Sequence, residues 1–183
     1  MAIVGNGDGI SAAVADTAHT LGRRAIDQGF RVVTGGLGGV MAAASEGARS
    51  SERYTEGSIV GVLPSYDRGS ANPWVDVAIP TGMQVARNVI VVAMADVVVA
   101  VGGGAGTLSE VAIAWQLGRP VVALTDRGGW SDELAGRTLD HRHDEPIVAA
   151  ASVDEAIAAA LRALEQQRPE AGDVGSGWRG GAR

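Results

Sequence analysis

The chain has 183 residues, of which 46% are apolar and only 4% aromatic, with a formal net charge of −6 and no cysteine. That length suits one domain with a full core. The acidic balance argues against a general nucleic-acid or anionic-membrane surface, and the lack of thiols excludes disulfides, thiol catalysis and thiolate metal sites. Lysine is absent too, so all fifteen basic residues are arginine; neither a Schiff base to pyridoxal phosphate nor a Walker A loop can form.

Apolar runs alternate with helical patterns along the chain. Ala2 to Val4 predicts a short buried strand, and Ile10 to Gln28 a helix with Val14, Ala18, Leu21 and Ala25 on one face. A second strand at Phe30 to Val33 leads through glycines into a small-residue helix from Val40 to about Arg49. Ser58 to Leu63 is a third strand, stopped by Pro64, and Ser65 to Asn72 a polar loop; Trp74 to Ile79 reads as a short strand. Met83 to Met94 predicts one helix, Val97 to Val101 a strand, Thr107 to Leu117 a helix and Pro120 to Leu124 a strand. Arg127 to Glu145 is irregular, with a helical turn near Ser131 to Ala135. A last strand at Ile147 to Ala149 precedes a helix from Val153 to Gln166 with Ser152 as N-cap.

Short strands alternating with helices of ten or more residues predict parallel pairing through right-handed crossovers. The expected fold is α/β: a single-domain, Rossmann-like, doubly wound sheet with helices on both faces, spanning 1–167. Residues 168–183, rich in Gly and Arg with Trp178 among them, read as a disordered tail. No run reaches membrane-span length and no basic segment precedes an apolar one at the start, so the expected compartment is the cytoplasm.

Three glycine clusters each follow a strand: Gly5, Gly7 and Gly9; Gly35 to Gly39; and Gly102 to Gly106. In an open parallel sheet such turns line one crevice at the carboxyl ends of the strands. The third cluster is the most informative, because Gly102-Gly103-Gly104-Ala105-Gly106 runs from a buried strand into a helix carrying Thr107 and then Glu110. Glycines admit an anion close to the backbone, the helix N-terminus favours negative charge, and the Thr107 hydroxyl adds a donor. A phosphorylated small molecule fits, with Glu110 beside it.

Arg87 is flanked by apolar neighbours and needs an anionic partner or a route to solvent. The first turn, Gly5-Asn6-Gly7-Asp8-Gly9, lacks the G-x-G-x-x-G spacing of a dinucleotide fingerprint, and Asp27, at a suitable separation, belongs to a helix end; an NAD-linked oxidoreductase is the third and weaker reading. Asp140-His141-Arg142-His143-Asp144 invites a metal reading, but Arg142 opposes a cation and a solvated loop is favoured. His19 reads as a surface or boundary residue, Trp115 as core or subunit interface, and Trp130 as ligand cap or structural plug. No metal is expected.

Met83 to Glu110 resembles the LOG family of cytokinin-activating phosphoribohydrolases, long mislabelled as lysine decarboxylases. Arg87 stands at the family's spacing from the Gly102–Glu110 loop, Asp96 is in step, and Gly35-Gly36-Leu37-Gly38-Gly39-Val40-Met41 resembles its glycine turn. The likeness runs from about Ala2 to Leu124. It implies Arg87 and Glu110 as catalytic residues, with Gly103, Gly104, Ala105, Gly106, Thr107, Gly35, Gly36, Gly39, Met83 and Asn88 holding the ligand. It also implies at least a homodimer.

On that reading the protein splits the N-glycosidic bond of a nucleoside 5′-monophosphate and requires no cofactor. Gly102 stands where the family has proline and Asn88 where it has lysine. Both, with Gly128-Gly129-Trp130-Ser131-Asp132-Glu133-Leu134, resemble a sub-branch that includes carriers of the molybdenum cofactor. The alternative is therefore a nucleotide or molybdopterin carrier without turnover.

Overall fold

A computed structural model describes residues 1–167; the expectations for 168–183, Trp178 included, lie outside the described residues. The chain runs β1 (Ala2–Gly5), α1 (Ala12–Asp27), β2 (Val32–Thr34), α2 (Gly39–Arg49), β3 (Ile59–Leu63), β4 (Val77–Pro80), α3 (Asn88–Ala93), β5 (Val98–Val101), α4 (Ala105–Gln116), β6 (Val121–Leu124), α5 (Gly129–Leu134), β7 (Val148–Ala150) and α6 (Val153–Gln167). The seven strands form one sheet in the order β4-β3-β2-β1-β5-β6-β7, every pair parallel. This is the doubly wound, Rossmann-like architecture the alternation predicts.

Strand residues divide between two cores with period two, as a sheet covered on both faces requires. Ile3, Val99, Val101 and Leu124 face α1, α2 and α6, whereas Ala2, Val4, Val98 and Ala100 face α3, α4 and α5. Ser11 caps α1 by accepting the Val14 N–H at 3.3 Å, which moves the helix start past Ile10. Ser152 caps α6 through the Glu155 N–H at 3.2 Å. The edge strand β4 is anchored just before it begins: the Asp76 carboxylate accepts from the Tyr54 hydroxyl at 2.6 Å and from the Gly57 and Ile59 N–H groups at 3.1 Å.

One predicted helix is broken. Residues 84–87 form a 3-10 turn and α3 begins only at Asn88. The Gly82 N–H donates to Ser65 O and the Gln84 N–H to Pro64 O, so this segment is tied to the exit of β3. Gln84 takes φ 50°, a left-handed conformation costly for a residue with a Cβ. The tie places Arg87 at the hinge between the two helical pieces, with its side chain turned inward.

Asp140 accepts from the Trp115 indole N–H at 2.9 Å, and the His143 ring lies edge-on to that indole with its Nε2 2.8 Å from Trp115 O. These motif residues latch a core tryptophan, which is 5% exposed. No group of three or more metal-ligating side chains occurs among the described residues. No described helix is long and apolar enough to cross a membrane.

Candidate functional site

The order of strands reverses direction between β1 and β5, and a crevice of about 290 Å³ opens at their carboxyl ends. Backbone from Gly5 to Gly7, Gly35, and the Gly104–Thr107 turn line it, with Leu37, Met41, Arg87, Asn88 and Glu110. A larger hollow of about 920 Å³ lies where β6 begins, away from these residues and from the carboxyl ends of the strands; Arg119, Arg142, His143, Asp144 and Arg162 are among its lining.

The anion-attracting wall is the start of α4. Gly104 caps this helix without a side chain, no acid stands in its first turn, and the first i→i−4 bond is Leu108 N–H to Gly104 O at 3.0 Å. The N–H groups of Ala105, Gly106 and Thr107 precede that bond and have no intrahelical acceptor. Gly103 makes the turn at φ 106°, where a side chain would strike Thr107. Thr107 and Glu110, three residues apart, share the inward face and are 2% and 6% exposed.

Arg87 approaches from the other side and is 8% exposed. Its Nη1 stands 3.4 Å from Glu110 Oε1, a loose ion pair, and its Nε is buried without a partner. A side chain at residue 35 would overlap the guanidinium, so Gly35 is the surface on which Arg87 lies. Burial pushes the Glu110 carboxyl up to about 7, against the pull of Arg87, and lowers the Arg87 guanidinium. Arginine stays protonated at any working pH. The crevice therefore holds one fixed cation, one carboxyl whose burial favours its neutral form, and a set of free N–H donors.

Asn88 supports this wall. Its Nδ2 donates to Ser109 Oγ at 2.7 Å, and that hydroxyl donates to Gly106 O at 2.7 Å. Of the residues singled out from sequence, Arg87, Glu110, Gly104, Ala105, Gly106, Thr107, Gly35 and Asn88 line the crevice together. Gly103 lies across the turn. Gly36 packs on Leu63 and Gly61, Gly39 packs on the Asn6–Gly7 backbone, and Met83 points largely to solvent. Asp27 accepts from Ser51 Oγ at 2.6 Å, far down α1. Trp130 lines neither this crevice nor its neighbour. Asn6, Leu37 and Met41 were not legible as contacts, although they sit inside glycine clusters that were.

Residues 1–157 match the model of the SLOG cluster4 family. The chain belongs to that family. Among solved structures, this SLOG cluster4 chain resembles the molybdenum cofactor binding protein of Rippkaea orientalis, with 35% identity over 89% of this chain and 95% of the other and a TM-score of 0.77. It resembles the molybdenum cofactor carrier protein of Chlamydomonas reinhardtii at 34% identity over 90% and 97% of the two chains, TM-score 0.75. An uncharacterised protein of Archaeoglobus fulgidus is 41% identical over 107 residues, 58% of this chain and 68% of that one. These likenesses agree with the carrier-like sub-branch suggested by Asn88, Gly102 and Gly128 to Leu134.

Proposed function

We propose that this SLOG cluster4 protein binds a phosphorylated pterin of the molybdenum-cofactor type and carries it without turnover. The observation that carries this is the buried Arg87 guanidinium lining the same crevice as the free N–H groups of Ala105, Gly106 and Thr107. A fixed guanidinium and unpaired backbone donors facing one crevice form charge-assisted hydrogen bonds with a phosphate. Leu37 and Met41 supply apolar side chains against which a flat ring system can lie. The likeness to the two cofactor-binding proteins supports the same reading.

The second reading is phosphoribohydrolase action on a nucleoside 5′-monophosphate, favoured by the Arg87–Glu110 pair. Cleavage would develop oxocarbenium-like charge on the ribose, which an ionised Glu110 would stabilise while orienting water; Arg87 would stabilise the departing base or clamp the phosphate. One incubation separates the two. The purified protein is expected to yield an intact phosphorylated ligand by mass spectrometry, and to release no free base from AMP over hours. Base release by the wild type that disappears in Glu110→Gln would replace the carrier with the hydrolase.

A homodimer belongs to the proposal. Val85 is 83% exposed and Val89 48%, and both stand with Met83 on the surface beside the crevice, an apolar cluster that a second copy would cover. Sedimentation at micromolar concentration is expected to give a dimer, and Val85→Asp with Val89→Asp a monomer; a monomeric wild type would refute this.

A further inference from the structure

A second crevice, of about 220 Å³, lies across the Gly102–Gly104 turn from the first. Asn6 lines both, and its Oδ1 would be 3.2 Å from a side chain at residue 104. Along the same turn, Gly104 lines the first and Gly102 and Gly103 line the second. The division follows from the fold: α1 covers one face of the sheet and α4 the other, while the turns after β1 and β5 are neighbours. The first crevice opens on the α4 side. The second is walled by the start of α1, at Ile10, Ser11 and Val14, and by the turn after β6, at Arg127 to Gly129.

Arg127 is the charged group of this second crevice. Its Nε donates to Thr17 Oγ1 at 2.8 Å, and its Nη1 donates to Asp126 O at 2.9 Å and Thr125 O at 3.3 Å. All three acceptors are neutral. The nearby Asp132 carboxylate takes the backbone N–H groups of Arg127 and Gly128, at 3.3 and 2.8 Å, rather than the guanidinium. Among the described residues no carboxylate forms an ion pair with Arg127, and no acid lines the crevice. A guanidinium held in place by neutral partners keeps its charge for an anion.

The two volumes matter together. Ligand pockets usually measure roughly 300–1,000 Å³, so each crevice alone is small and suits one part of a larger molecule. Gly104 to Thr107 line the first crevice and Gly102 and Gly103 the second, so a phosphate on the Ala105–Thr107 N–H groups lies next along the chain to the lining of the second. A ligand that continues from there across the glycine turn meets Arg127 in the second crevice. We infer that the two crevices form one site for a pyrophosphate-linked ligand, its organic part in the first and its second phosphate against Arg127 in the second. This rests on the reading of the α4 N-terminus as a phosphate cradle. It narrows the ligand from a monophosphate to the class in which the phosphate continues into a second one.

Inorganic phosphate and pyrophosphate, titrated into the full 15N-labelled chain, test this without assuming an organic group. Phosphate is expected to move the amide signals of Ala105 to Thr107. Pyrophosphate is expected to move those of Gly102, Gly103, Arg127 and Gly128 as well, and to bind at least about tenfold more tightly. Arg127→Gln should erase that gain while phosphate affinity stays within about twofold. Because Arg127 also braces Thr17, Ser11→Asp is the second variant: aspartate caps a helix as well as serine does, yet puts a carboxylate at the mouth of the second crevice, and it too should erase the gain. Pyrophosphate moving only Ala105 to Thr107, with no gain in affinity, overturns the inference and leaves the cradle standing. Neither anion moving those three amides overturns both.

Discussion

Replacing Arg87 with leucine is expected to lower the affinity for a phosphorylated ligand about 100-fold and to drive the Glu110 carboxyl above its wild-type value of about 7. The first effect follows from removing the fixed cation that lines the crevice and its guanidinium donors. Hydrogen bonds to charged groups are worth about 1.5–3 kcal/mol each, and about 1.4 kcal/mol is a factor of ten. The second follows because burial already raises Glu110 and Arg87 is the opposing influence. Breaking a buried ion pair by removing one partner typically costs about 3–5 kcal/mol, but here the survivor escapes by taking up a proton, at about 1.4 kcal/mol per pH unit. A carboxyl whose folded pKa lies above its ordinary 4.5 contributes stability that is complete below that pH and shrinks as pH climbs through the folded value. In the wild type the shrinkage ends shortly above pH 7; in Arg87→Leu it continues beyond. Denaturant unfolding at pH 5, 7 and 8.5 should therefore show a variant whose deficit grows with pH, and calorimetric titration should show the lost affinity. Wild-type phosphate affinity in Arg87→Leu would remove Arg87 from the site.

The parts of this site that were legible in sequence are those built within one stretch of chain. The passage from Val98–Val101 through glycines to Thr107 and Glu110 needs only strand period, turn chemistry and the i, i+3 relation on a helix, and all three can be read locally. Arg87 stood out because a cation among apolar residues demands a partner. Asn6, Leu37 and Met41 join the crevice only because β1, β2 and β5 are neighbours in the sheet, which no local pattern specifies. The segment from Met83 to Met94 has a helical pattern throughout, yet tertiary hydrogen bonds to Pro64 O and Ser65 O overrule it and bend Gln84 into the left-handed region. Arg127 was invisible for a similar reason: its position depends on Thr17, 110 residues away in the chain. The Asp140–Asp144 motif reads locally as a solvated loop, yet Asp140 and His143 hold Trp115 on another element, a pairing no local pattern specifies.

Gly22→Ala is expected to destabilise the protein by about 2–3 kcal/mol, lowering Tm by roughly 5–10 °C. Helix propensity alone predicts the opposite sign, since alanine in a helix interior is better than glycine by about 1 kcal/mol. The contact decides against it. A Cβ on Gly22 would lie 2.8 Å from the carbonyl carbon of Ala44 and closer still to its oxygen, and Gly47 meets the His19 carbonyl in the same way where α1 crosses α2. The obstacle is backbone, so no side-chain rotation relieves it and the two helices must part. The consequence reaches the site. α2 begins directly beneath the first turn, with the Val40 N–H donating to Asn6 O at 2.9 Å, and Met41 forms part of the crevice floor. Moving α2 away from α1 withdraws both, and phosphate-ligand affinity should fall several-fold even where the variant remains folded. Ala44→Gly in the same chain should not restore stability, because it removes a methyl group and leaves the carbonyl in place. Thermal unfolding of the single and double variants checks this, and a Gly22→Ala protein with wild-type Tm would show that the crossing has slack the close approach denies.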